Sequence, residues 1–209
     1  MFPPLYAIID PALTARPVLQ VTESLISAGV ELIQLRDKRG SPRAIYHQAR
    51  EIMRQFAGSG VRFIVNDRPD IAGMCAADGV HVGQDDLPVE PARAICPKPL
   101  WVGVSTHNLA QLRDADRTSA DYIAVGPIFA TGTKANPDPV VGFDFIRAAR
   151  QATRKPLVAI GGITVESAAD VFRAGADSVA VIRDLLAAPD PSRRAREYLE
   201  IAREVVSSG

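Results

Sequence analysis

Eight short runs of alternating apolar residues recur along the chain, and no other feature limits its possible folds as strongly. LYAIID, VELIQL, VRFIVN, GVHVG, LWVGVS, DYIAVG, PLVAIG and DSVAVI are each strand-like. Amphipathic or helix-prone stretches separate them at 17–28, 41–57, 88–95, 108–117, 143–152, 164–174 and 191–206, with a short segment near 70–76. Strands that alternate with helices pair in parallel, because each helical crossover returns the chain to the same edge of the sheet. Eight such units predict an α/β fold, a single (β/α)8 TIM barrel over residues 1–209. A doubly wound open sheet is the alternative topology.

An internal echo accompanies the alternation. AGVELIQL, AADGVHVG, SADYIAVG and AGADSVAV each place small residues and an acid before a strand, which reads as a repeated helix-to-strand return. Successive strand residues face opposite sides. In VELIQLRDK, Ile33 and Leu35 are expected under the helices, with Leu32, Gln34, Arg36 and Lys38 on the other parity. Elsewhere Ala7, Gly103, Ser105, Ala124, Gly126, Ala159 and Ala180 are expected inside. Residues that small leave room for a ligand at the top of the barrel.

The chain has 24 basic and 24 acidic residues, a formal net charge of zero. A nucleic-acid binder concentrates positive charge, so a small molecule is the expected partner. MFPPLYAIID has neither the basic start of a signal peptide nor an apolar run of membrane-spanning length. Cys75 and Cys96 form no CxxC pattern, so two reduced thiols in a cytoplasmic protein are expected.

Polar residues cluster at the strand ends. QLRDK follows the second strand, ND the third, GQDD the fourth, and Ser105 the fifth. GPIFATGTK follows the sixth, GGI the seventh, and Ile182-Arg183 the eighth. In a parallel barrel these ends share one rim. Neighbouring strands lie roughly 4.8 Å apart, so Asp67 and Asp86 can converge on one point. Mg2+ is commonly held by one or two carboxylates together with substrate phosphates, so Mg2+ on Asp67 and Asp86 is the expected cofactor. The competing reading makes Asp86 a cap for a helix starting near Pro88, and Asp85 is expected to be a cap or a solvated acid. Arg36, Lys38 and Lys134 would balance a diphosphate of about three negative charges. Thr131, Thr133 and Lys134 lie in a Gly- and hydroxyl-rich segment suited to an anion-binding lid. Gly161 and Gly162 let backbone amides approach a second anion. Alone, Arg36 or Lys38 would read as a surface ion pair with Asp37, and 126–139 as a solvated loop.

In this order and spacing, QLRDK, VND, HVGQDDLP, GVSTH, GPIFATGTK and AIGGI resemble the thiamine phosphate synthase family, from Tyr6 to Asp184. That family joins 4-amino-2-methyl-5-hydroxymethylpyrimidine diphosphate to 4-methyl-5-(2-hydroxyethyl)thiazole phosphate with Mg2+. The resemblance implies that Gln34, Arg36, Lys38 and Asn66 hold the pyrimidine diphosphate and that Asp67 and Asp86 ligate the metal. Ser105 and Lys134 would touch the diphosphate or the pyrimidine. Thr131, Thr133, Gly162, Ile182 and Arg183 would receive the thiazole phosphate. Arg36, Lys38, Ser105 and Lys134 would be catalytic, easing pyrophosphate out of a dissociative reaction that needs no protein nucleophile.

His81 and His107 are then expected to be structural. Arg183 departs from the family pattern, which usually has serine there. An arginine either forks two charge-assisted hydrogen bonds onto the phosphate or faces outward to Asp184. A thiazole tautomerase of the same fold and a non-catalytic thiamine-phosphate-binding protein are the alternatives. Expected partners are small phosphorylated substrates, with no nucleic acid or membrane, and assembly as a homo-oligomer stays open.

Overall fold

The computed structural model describes residues 2–96, 100–132 and 138–207. In chain order the elements are β1 (Leu5–Ile9), α1 (Val18–Ser27), β2 (Leu32–Leu35), α2 (Pro42–Gln55), β3 (Arg62–Asn66) and α3 (Pro69–Cys75). Next come β4 (Gly79–Val82), α4 (Val89–Ile95), β5 (Trp101–Thr106), α5 (Leu109–Asp116), β6 (Tyr122–Val125) and α6 (Gly142–Ala152). The chain finishes with β7 (Leu157–Ile160), α7 (Val165–Arg173), β8 (Ser178–Val181), α8 (Arg183–Leu186) and α9 (Pro191–Ser207). All strand pairs are parallel, and β8 closes onto β1. The barrel is the expected (β/α)8 form, and the open sheet is excluded. The sequence pattern did not reveal α8, a single turn directly after β8.

Helix starts follow local chemistry. The Ser41 hydroxyl accepts from Ala44 N (3.2 Å) with Pro42 beside it, and Asn108 Oδ1 accepts from Gln111 N (2.9 Å). Thr164 and Ser167 form a capping box at the start of α7. Each such cap contributes about 1 kcal/mol.

The acids of the internal echo have a structural purpose. Asp78, Asp121 and Asp177 each stand just before an even-numbered strand. Each carboxylate accepts from the first or second backbone N–H of the preceding strand: Phe63 (2.8 Å), Val102 (2.7 Å) and Leu157 (2.8 Å). The amides of the same acids donate back to the carbonyls of those residues at 2.8–2.9 Å. These two-point clamps satisfy backbone groups at the strand starts, where the ladder alone leaves them open. At the fourth echo, Glu31 contributes only its carbonyl, which accepts from Arg62 N.

Two apolar layers hold the barrel. The outer layer sets Ile33, Leu35, Val80, Val102 and Ile123 against helix residues such as Leu25, Ile52, Leu112 and Ile146. The inner layer contains Tyr6, Ile8, Leu32, Ile64, Tyr122, Ala124, Val158 and Ala180. Full burial of such an aliphatic stabilises the fold by roughly 1.5–3 kcal/mol. Ala7 and Ala159 correct the expected parity, since both belong to the outer layer. Parity passes from strand to strand through the register. Ile8 pairs with inward Gln34, and Val158 pairs with inward Ala124, which turns the intervening alanines outward.

Large inner side chains fill the lower half of the barrel. Phe2 stacks on Trp101 (5.5 Å between centroids) below Tyr122, and the Arg62 guanidinium lies 3.9 Å from the Trp101 ring centroid. Polar and small residues occupy the upper half, and there the barrel opens. Among the described residues no helix is long and apolar enough to cross a membrane.

Candidate active site

A cavity of about 770 Å3 opens at the C-terminal ends of the strands. Gln34, Arg36, Lys38, Asn66, Asp67, Asp86, Ser105, Thr131, Gly162, Ile182 and Arg183 all line it. Thr133 and Lys134 lie outside the described residues. Residues from seven strand ends thus reach one space, as the shared rim of parallel strands requires.

Asp67 follows β3 with φ +60, a left-handed backbone that costs most non-glycine residues energy. Its amide donates to His81 O (2.8 Å), which ties the turn to β4. Its carboxylate is paired with the Lys38 ammonium. Burial pushes the Asp67 carboxyl up from its ordinary value; the Lys38 bond opposes that, and the facing Asp86 carboxylate adds to it. Asp86 Oδ2 accepts from Gly83 N (2.8 Å), which folds the GQDD turn back on itself. It does not cap α4, whose start has no side-chain cap, so that competing reading falls. Asp85 is exposed on the rim.

Two facing carboxylates with one ammonium form a half-buried cluster short of positive charge. Such a cluster suits a divalent cation. Among the described residues no three His, Cys, Asp or Glu side chains gather as a fuller ligand set. A hard cation on Asp67 and Asp86 would therefore take its other oxygens from substrate and water.

Arg36 donates from Nη1 to Asp10 Oδ2 (2.6 Å), and Asp10 also accepts from Ala12 N (3.0 Å). The pair is largely buried, so the guanidinium plane is held while the group still faces the cavity. The surface pairing with Asp37 is not formed: Asp37 accepts instead from Arg39 N and Gly40 N. Across the mouth, Gly161 (φ +100) and Gly162 (φ +65) need glycine twice over. A Cβ at Gly161 would come within 2.5 Å of Pro127 Cβ, and one at Gly162 within 2.5 Å of Ala130 O. Arg183 donates from Nη2 to Gly132 O (2.8 Å), which joins the rim after β8 to the segment after β6. Asp184 turns away from it, accepting from the Tyr198 hydroxyl (2.7 Å) and pairing with Arg194.

Both site histidines are held by hydrogen bonds. His107 Nδ1 donates to Gly126 O (2.6 Å), just before the cis Gly126–Pro127 bond, and its Nε2 lies 3.4 Å from Asp138. His81 is buried, and burial pushes its pKa down to about 4, so the ring is neutral near pH 7. Its Nδ1 lies 3.1 Å from the Tyr122 hydroxyl and its Nε2 2.8 Å from Ser105 Oγ. Tyr122 lies 2.8 Å from the Tyr6 hydroxyl, which accepts from Gln34 Nε2 (2.6 Å).

Sequence reasoning missed Tyr6, Tyr122, Asp10 and Gln84, whose Nε2 donates to Ser105 O (2.6 Å). The register would have found the two tyrosines. Tyr6 has the parity of Ile8, and Tyr122 pairs with inward Gly103.

The anatomy is that of a (β/α)8-barrel enzyme whose mouth, at the C-terminal ends of its strands, is lined by Asp67 and Asp86 and by Arg36, Lys38 and Arg183. Residues 5–185 match the family model for thiamine monophosphate synthase, and the chain belongs to that family. It is 50% identical to a thiamine-phosphate synthase of Koribacter versatilis over 95% of both chains. It is 46% identical to one from Chloroflexus aurantiacus, covering 92% of this chain and 89% of the relative. The solved thiamine phosphate pyrophosphorylase from Pyrococcus furiosus superposes with a TM-score of 0.88 at 32% identity, over 97% and 96% of the two chains.

Proposed function

We propose that this chain is a transferase that joins 4-amino-2-methyl-5-hydroxymethylpyrimidine diphosphate to 4-methyl-5-(2-hydroxyethyl)thiazole phosphate, giving thiamine phosphate and pyrophosphate. The observation that carries the reading is the pair of facing carboxylates, Asp67 and Asp86, sharing one cavity with Arg36 and Lys38. Asp67 and Asp86 would hold Mg2+, which supplies positive charge to the diphosphate oxygens as the leaving group departs. Lys38, which pairs with Asp67 at the mouth of the cavity, would lend its ammonium to the diphosphate. Arg36, pinned by Asp10, offers its remaining N–H groups without having to reorient. Ser105 donates a hydrogen bond to the same anion, Lys134 brings a further charge, and Gln34 and Asn66 orient the pyrimidine. Thr131, Thr133, Gly162, Ile182 and Arg183 receive the thiazole phosphate.

The bond from the pyrimidine methylene carbon to the diphosphate oxygen breaks first, and pyrophosphate leaves with the electron pair. The thiazole nitrogen then gives its lone pair to the resonance-stabilised carbon. No protein group is alkylated, and none needs to act as nucleophile. The histidines support this reading over a tautomerase, which moves protons through acid–base side chains. His81 is buried and neutral, and His107 spends its Nδ1 proton on a backbone carbonyl. Cytoplasmic residence, with Cys75 and Cys96 as free thiols, belongs to the same proposal.

The test is coupling by the purified protein with both substrates and Mg2+. Thiamine phosphate and pyrophosphate should appear in equal amounts. Binding of thiamine phosphate without turnover would replace this reading with that of a carrier.

A further inference from the structure

Gln34, Tyr6, Tyr122, His81 and Ser105 come from five different strands and are joined end to end inside the barrel. The four links measure 2.6, 2.8, 3.1 and 2.8 Å. Both ends of the chain line the cavity, whereas Tyr122, wholly buried, does not. Each hydroxyl has one proton to give, and a neutral imidazole has one. The Gln34 amide donates to Tyr6, so the Tyr6 proton goes to Tyr122 and the Tyr122 proton goes to His81 Nδ1. His81 must then carry its own proton on Nε2 and donate it to Ser105 Oγ. The Ser105 proton, displaced from the histidine, points into the cavity. At the other end no described residue bonds Gln34 Oε1, which is left as an acceptor facing the ligand. Reversing the chain would invert both ends at once: Gln34 would present its NH2 group, and Ser105 only lone pairs.

We propose that Tyr122 is a positioning residue: through His81 it fixes the Ser105 hydroxyl as a donor to the leaving anion, and through Tyr6 it ties that donor to an acceptor at Gln34. The proposal deepens the synthase reading, which supplies the anion opposite Ser105. In physical terms, the barrel interior transmits one hydrogen-bond polarity between two parts of a substrate, so a donor bound at Gln34 and an anion bound at Ser105 favour each other.

The test is the tautomer of His81, read from ring nitrogen-15 NMR signals of the whole labelled protein. The chain has three histidines, which substitution distinguishes. The ring should carry its proton on Nε2 with Nδ1 bare, both free and with inorganic pyrophosphate and Mg2+ added. A proton on Nδ1 in either state overturns the proposal. Tyr122→Phe removes the donor to Nδ1 and should move part of the population to the Nδ1–H form. It should also lower kcat about tenfold, with a smaller change in the pyrimidine substrate's KM. Adding Ser105→Ala to Tyr122→Phe should then cost much less than Ser105→Ala costs the wild type. Additive losses with an unmoved tautomer would reduce Tyr122 to a packing residue and overturn the proposal. If Tyr122→Phe fails to fold, the wild-type tautomer decides alone. Wild-type protein with Nε2–H but no coupling activity would uphold the hydrogen-bonded chain and overturn the synthase reading.

Discussion

Gly103→Ala tests how tightly the barrel interior is built. Gly103 pairs with Tyr122 across β5 and β6, and a Cβ placed on it would stand closer than 3.0 Å to three Tyr122 atoms, the hydroxyl oxygen among them. Tyr122 cannot retreat freely, because it is fully buried against Phe2 and Tyr6. Overpacking a dense core costs about 1–3 kcal/mol. A shift of about 1 Å would also break the 2.8 and 3.1 Å bonds of the Tyr122 hydroxyl, at about 1 kcal/mol each. The expected loss is therefore about 3–5 kcal/mol. In a chain of this length that is roughly 6–20 °C in Tm. Thermal unfolding followed by circular dichroism measures it, with turnover assayed well below the transition. Gly58→Ala is the control. Gly58 also has a left-handed backbone (φ +80), but nothing lies within 4 Å of an added Cβ, so only about 1 kcal/mol of backbone strain is expected. A Gly103→Ala protein that melts within about 1 °C of wild type would refute the packing argument, since the interior would then have slack that these positions deny.

Asp67→Asn and Asp86→Asn should each remove most turnover while leaving the unfolding transition in place, and exposed Asp85→Asn should do far less; equal losses from all three would sink the metal assignment. Chelation should stop the wild-type reaction, and added Mg2+ should restore it. Arg183→Ala should raise the thiazole phosphate KM by about tenfold or more through loss of a charged hydrogen bond, and barely change the pyrimidine KM; an unmoved thiazole KM would leave the guanidinium only its bond to Gly132 O. The depressed pKa of His81, about 4 against an ordinary 6.5, makes the unfolded chain bind more protons between those values. Its contribution is therefore present in full above about pH 6.5 and lost as pH falls through 4, about 3 kcal/mol over that window. Urea unfolding at a series of pH values should show that slope, and a flat response would mean that His81 is solvated.

Much of the fold was legible because its signals are local. Eight alternating runs suffice to count strands, and QLRDK, GQDD and GPIFATGTK place charge at strand ends whatever the exact register. What needed register was not legible. Ala7 and Ala159 look like inner residues by size, yet pairing with β2 and β6 turns them outward. The two tyrosines carry no sequence signal of their own, because the hydroxyl partners of Tyr6 lie 28 and 116 residues away. His81 was expected to be structural and is indeed buried and bonded, but its connection to Ser105 depends on β4 and β5 lying side by side.

The acid clamps at the base of the barrel divide the ring unevenly. Asp78, Asp121 and Asp177 bind β4 to β3, β6 to β5 and β8 to β7, while among the described residues no clamp of this kind runs from β4 to β5 or from β6 to β7. Three two-stranded cassettes, β3–β4, β5–β6 and β7–β8, thus carry their own fastening, while β1–β2 relies on its ladder alone. Opening the polypeptide after β4 or β6 keeps every acid in the same fragment as the amide it holds. Opening it after β3, β5 or β7 separates an acid from its amide. For a gene that grew by copying, or one cut today into complementing halves, the natural seams fall after the even strands.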